Sequence, residues 1–228
     1  MFSNVFLINQ NDDFIGGSME HLKIAIVGGN GKVGKHIAKI ALESGFQVRQ
    51  LVRNPTKGSY DHSKIEIVKG DARNIKSIQA LLEGCHIVIN TLGQPVKEEP
   101  IYSTVTSSII TTMNELGIRR YIGVTGASLD VHGDKKSMVN TIGAKIFKFL
   151  FFKLILDKEK ELEILKNSEL DWTLVRLPFV VEGPQTGYIK ENTRDVPGTK
   201  IMNADIAHFL IQQIHDNKYL LKTPFIAN

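Results

Sequence analysis

The 228-residue chain has a single cysteine, Cys85. No disulfide can close within it, and no cysteine-based zinc site can form. A reducing, cytoplasmic setting is therefore expected. Its seven histidines include no HxxxH pair at a ligand spacing, so no metal is expected either. Long clean hydrophobic runs are also missing. The most apolar stretch, Ile146–Leu156, is interrupted by Lys148 and Lys153 and preceded by Lys145, whereas a bilayer span needs about 20 apolar residues. This stretch reads as a thickly apolar helix packed on a sheet or on a partner subunit, so a homodimer is allowed and a membrane span is not. A helix lying on a membrane surface is the alternative. Residues 1–21 contain no Lys or Arg and only a short apolar patch, which does not make a secretory signal. Residues 1–18, ahead of Met19, are expected to be a dispensable extension or a start-site artefact, and residues 1–21 to be disordered. The net charge is +4, from 28 basic and 24 acidic residues. The bases form no clustered stripe of the kind nucleic-acid binding requires.

What is present is an ordinary globular composition, 42% hydrophobic and 23% charged, enough for a sizeable core. Short apolar runs alternate with helical spacings. Leu22–Val27, Phe46–Val52, Ile65–Val68, Cys85–Leu92, Arg120–Thr125 and Trp172–Leu177 read as strands, with Pro224–Ala227 as a last one. Lys32–Ser44, Asn74–Glu83, Ile101–Leu116, Asn140–Asn167 and Ala204–Asn217 read as helices. Alternation with short links is the βαβ pattern of a parallel sheet covered on both faces. Residues 22–228 are expected to form one domain, and Glu182–Lys200, rich in Gly, Pro and Thr, an irregular substrate-side lid.

The strongest motif is Gly28-Gly29-Asn30-Gly31-Lys32-Val33-Gly34, which contains G-x-G-x-x-G between the first strand and the first helix. That context is the one a dinucleotide-binding turn requires. Glycines allow the tight turn, the approach of backbone to pyrophosphate, and the packing of helix on strand. The helix N-terminus then offers N–H groups to the phosphates. A NAD site usually carries an acid at the end of the second strand; here Arg53 stands there, 19 residues after Gly34. A guanidinium pairs with a 2′-phosphate, so NADP(H) is expected ahead of NAD(H), with Lys57 assisting. Asp71, followed by Ala72, is placed to accept from the adenine amino group. Thr91, Leu92 and Gly93 end the fourth strand, where a small residue admits the cofactor.

These motifs, together with Arg53-Asn54-Pro55, the segment Ser168–Arg176 (SELDWTLVR) and the tail Ala204–Leu210 (ADIAHFL), occur in order. The chain resembles an atypical short-chain dehydrogenase/reductase. More narrowly, it is similar to the NAD(P)H-binding, NmrA-like group that includes flavin reductase/biliverdin-IXβ reductase. The resemblance covers about residues 22–228. It implies a Rossmann-like, doubly wound parallel sheet of strand order 3-2-1-4-5-6-7, helices on both faces and small C-terminal substrate-side elements. It also implies bound NADP(H), and hydride transfer. In the family's Tyr-x-x-x-Lys, Lys158 falls on the Lys position, where it would hold nicotinamide ribose hydroxyls, but Leu154 falls on the Tyr position. Tyr102, Tyr121 and Tyr188 are out of register. Thr125 or Ser128 would supply the hydroxyl after the fifth strand, and Pro178 and Phe179 would line the nicotinamide.

A missing phenol disfavours ketone reduction, which needs a proton delivered to the developing alkoxide. Hydride transfer to a flavin-like or quinone-like small-molecule acceptor does not require one from the protein. The expectation is an NADPH-dependent oxidoreductase of that kind. The alternative is a non-catalytic NADP(H)-binding sensor of NmrA type. The short C-terminal part and the missing Tyr argue against a sugar-nucleotide epimerase.

Overall fold

The structure is a computed structural model that describes residues 22–55, 65–94 and 98–228. Residues 1–21 and Lys57 lie outside the described residues. Among the described residues ten strands and six α-helices follow one another: β1 (Lys23–Val27), α1 (Gly34–Glu43), β2 (Gln47–Val52), β3 (Ile65–Lys69), α2 (Ile75–Leu82), β4 (Ile87–Asn90), α3 (Tyr102–Leu116), β5 (Arg120–Gly126), α4 (Met138–Leu150), α5 (Phe152–Lys166), β6 (Asp171–Leu177), β7 (Phe179–Val181), β8 (Lys190–Asn192), β9 (Lys200–Met202), α6 (Asn203–Gln212) and β10 (Phe225–Ala227). The main sheet has the order β3-β2-β1-β4-β5-β6-β10-β8. It is parallel except for the edge strand β8, which runs antiparallel to β10. This is the Rossmann-like, doubly wound fold expected from the sequence.

Alternation along the strands sends side chains to two cores. Ala25, Val27 and Leu51 face α2, α3 and α5. Ile24, Ile26 and Val48 face α1 and α6. The amphipathic stripe of α1 buries Ile37, Ala38 and Ala41. Asn74 caps α2 by accepting from the Lys76 N–H at 3.0 Å. Gly117, left-handed at φ 70°, closes α3.

The C-terminal half departs from the sequence expectation in detail. The helix expected over 140–167 is two helices, because the backbone breaks at Phe151 (φ −126°, ψ 44°). The stretch 182–200 contains β8, and a separate two-stranded parallel sheet joins β7 to β9. α6 stops at Gln212, with a single 3-10 turn following at Asn217–Tyr219. Among the described residues no helix is long and apolar enough to cross a membrane.

Candidate cofactor cleft and its buried support

A cleft of about 980 Å³ opens along the carboxyl ends of β1 to β6, at the size of a ligand site. Its floor is the turn after β1. Gly28 has φ +82°, and a Cβ there would stand 2.5 Å from the Thr91 carbonyl oxygen. A Cβ on Gly34 would stand 2.3 Å from the Gly28 carbonyl oxygen. These two positions hold the turn flat and let α1 start against it. No side chain caps α1; the Lys35 and His36 N–H groups donate to the Gly31 and Val33 carbonyls, and the helix starts beside the wall residues Lys32 and Val33 with the positive end of its dipole at the cleft. Asn203, at the start of α6, donates to the Lys32 carbonyl at 3.0 Å and ties the turn to the other end of the chain. A glycine cradle above an uncapped helix suits a pyrophosphate.

Gly28, Asn30, Gly31, Lys32 and Val33 lie on the wall, as do Arg53, Asp71, Ala72, Thr91, Leu92 and Gly93. Gly29 and Gly34 lie behind it, packed in the turn. Arg53 is exposed on the wall just beyond the carboxyl end of β2. The Asp71 carboxylate is held by Arg73, which reaches it from Nε at 3.0 Å and Nη2 at 2.6 Å, with its backbone N–H adding a third bond. These hydrogen bonds bring the Asp71 pKa down to about 2. Arg73 also lines the cleft, and nothing in the sequence motif pointed to it. Thr91 is fastened to β1, its hydroxyl donating to the Val27 carbonyl at 3.2 Å.

The far end of the cleft is apolar, made by Val124, Leu177 and Val180. None of Thr125, Ser128, Lys158, Pro178 and Phe179 is on the wall. Phe179 is 78% exposed. It is Leu177, at the end of β6, and Val180, in β7, that face the cleft, because the chain bends at Pro178 between the two strands and the side-to-side alternation does not carry through. Thr125 is buried, and its hydroxyl has no partner among the described residues. Among the described wall residues there is no tyrosine.

Lys158 is neither solvated nor in the cleft. Its ammonium donates to Glu161 at 2.9 Å and sits over the Tyr102 ring. Burial draws its pKa down, while Glu161 pushes it back up. Glu161 accepts from Thr106 at 3.0 Å. The Tyr121 hydroxyl, beside Thr106, accepts from Asn90 at 3.0 Å. Two bonds carry this buried network to the cleft. The Asn90 side chain accepts from the Leu92 N–H at 3.0 Å, and the Tyr102 hydroxyl accepts from the Gln94 N–H at 3.2 Å. The network therefore fixes the start of the loop after β4, where Thr91, Leu92, Gly93 and Gln94 all form the wall.

The sequence profile of a family described as NAD(P)H-binding matches residues 28–217. The chain belongs to this NAD(P)H-binding family. It is 28% identical over 177 residues to the photosystem II assembly factor Ycf39 of Cyanophora paradoxa, covering 71% of this chain and 47% of that one. A short-chain dehydrogenase/reductase of Veillonella parvula, solved in complex with NADP, superposes with a TM-score of 0.74 at 16% identity, covering 91% of this chain and 94% of that one. ChuY of Escherichia coli O157:H7, described as an anaerobillin reductase, superposes with a TM-score of 0.73 at 18% identity over 90% and 96% of the two chains. The fold of this family member is thus that of short-chain dehydrogenases/reductases. The chain spans about half the length of the curated relatives it matches.

Proposed function

We propose that the chain is an NADPH-dependent reductase that passes hydride to a flat, flavin-like or quinone-like acceptor. The observation that carries this is the apolar end of the cleft: Val124, Leu177 and Val180 form a greasy wall, with no phenol among the described wall residues. Such a wall aligns two rings by packing and excludes water. It does not deliver a proton, which ketone reduction would need.

Within this reading, α1 and its turn hold the pyrophosphate. Arg53 pairs with the 2′-phosphate, favouring NADPH over NADH. Asp71, already bound to Arg73, orders the adenine edge. NADPH, when bound, supplies the hydride. Thr91, Leu92 and Gly93 are held in place by the buried network beneath them, and Lys158 acts from inside that network as a positioning residue. The reductase activity in the description of ChuY supports the same class of reaction. A reducing, cytoplasmic setting suits the free, buried thiol of Cys85.

The test is steady-state NADPH oxidation by the full chain with riboflavin, FMN and soluble quinones. Turnover with any of them supports the proposal, and no turnover across the set overturns it. The second reading, a cofactor-binding protein without turnover, is favoured by one observation: the Lys158 ammonium is spent on Glu161. Tight NADPH binding without turnover would select it.

A further inference from the structure

Helix α4 carries its apolar side outward. Of its thirteen residues only Ala144 is buried. Met138, Ile142, Ile146 and Phe149 recur at helical spacing and so lie in one stripe. They are 82, 55, 56 and 85% exposed. Val139 and Leu150 widen the stripe on one side. Soluble chains rarely leave so continuous an apolar face uncovered.

The charge pattern identifies the cover. No acidic residue occurs between Asp134 and Asp157, while five lysines do, at 135, 136, 145, 148 and 153. Lys136 is held by Asp130 and Asp134, and Lys148 by Glu159, which leaves Lys135, Lys145 and Lys153 as the cationic rim, and a second copy laid on this face would bring two such rims together. An anionic lipid surface satisfies both features. The headgroup–acyl boundary takes the apolar stripe, and the phosphates take the lysines. Lys145 is exposed and carries no ion pair among the described residues. Lys153 pairs only with the exposed Glu99, a contact weak enough to be exchanged for a headgroup. The helix is also anchored to the body of the protein. Asp195 accepts from the Ser137 N–H at 2.9 Å and from the Asn140 side chain at 2.8 Å. The face is thus a fixed patch.

We propose that α4 seats the protein on an anionic membrane surface, with its apolar stripe in the headgroup–acyl boundary. The proposal is independent of whether the cleft turns over a substrate. The experiment is co-sedimentation of the full chain with vesicles of phosphatidylcholine alone and of phosphatidylcholine with phosphatidylglycerol. Binding to the anionic vesicles is expected to exceed binding to the neutral ones by about tenfold and to weaken with salt. Phe149→Asp should abolish it, and Lys145→Glu should weaken it about fivefold or more. Both positions are exposed, so the melting temperature and NADPH affinity should stay unchanged. Absence of sedimentation with anionic vesicles overturns the proposal. So does a concentration-dependent dimer that Phe149→Asp dissociates while vesicles are ignored, which would assign the face to a second copy.

Discussion

The Lys158 ammonium lies 3.4 Å from the centre of the Tyr102 ring, joining α5 to the first residue of α3. Its charge is balanced by Glu161, which is 1% exposed. Removing one partner of a buried pair leaves the other charge unanswered and costs about 3–5 kcal/mol. Lys158→Met should therefore lower the melting temperature steeply. The double variant Lys158→Met/Glu161→Leu should recover most of that loss, because no buried charge is left. Thermal denaturation of the two variants checks this. A Lys158→Met chain of unchanged stability would show that the pair contributes nothing to the fold.

Gly34→Ala tests the turn. Its new Cβ would stand 2.3 Å from the Gly28 carbonyl oxygen and 2.7 Å from the Gly29 Cα. Backbone has to move, at a cost of about 1–3 kcal/mol by the usual scale of overpacking. The displaced turn should also bind NADPH at least about tenfold more weakly, since tenfold is only about 1.4 kcal/mol. Scanning calorimetry and a fluorescence titration on the same sample would read both effects.

Asp71 gives a pH dependence with a defined sign. Its folded pKa is lowered from 3.8 to about 2 by hydrogen bonds from Arg73. A lowered carboxylate pKa stabilises the fold above the unfolded value, and the gain is lost as pH falls through the folded value. The Arg73 side chain is 58% exposed, so solvent screening keeps the effect small. The stability difference between the wild-type chain and Asp71→Asn should be constant above about pH 5. It should shrink below pH 4 and be lost as the pH falls through and below about 2. A difference that grows on acidification would contradict the pairing.

Cys85 is 6% exposed. Its thiol donates to the Leu81 carbonyl at 3.3 Å, and burial raises its pKa to about 11. Only the thiolate reacts readily, so at pH 8 the folded chain should resist Ellman's reagent and react fully once denatured. Rapid reaction of the native chain would contradict this burial.

Much of the N-terminal half was legible in the sequence because each signal there is local. The run from Lys23 to Val27, the glycine turn and the 3.6-residue spacing of Ile37, Ile40 and Ala41 each specify one element without reference to the rest. The three-residue strands β7, β8 and β9 are too short to show a period. The break at Phe151 falls between two helix-forming runs with no glycine or proline to mark it. Lys158 was misleading for a different reason. It falls on the family's Lys position, where it would hold the nicotinamide ribose, whereas its ammonium is turned to Glu161 and to the Tyr102 ring on another helix, which no local pattern shows. Leu177 and Val180, rather than Pro178 and Phe179, reach the cleft because Leu177 is set by the pairing of β6 with β5 and Val180 by the pairing of β7 with β9, which no local pattern reveals.

The most direct measurement is a fluorescence titration of the wild-type chain and of Arg53→Ala with NADPH and with NADH. Hydrogen bonds to a charged phosphate are worth about 1.5–3 kcal/mol, so the wild-type chain should bind NADPH at least about tenfold more tightly than NADH, and Arg53→Ala should lose that preference while still binding NADH. Equal affinity of the wild-type chain for both nucleotides, or a preference that survives Arg53→Ala, would contradict the placement of the 2′-phosphate at Arg53.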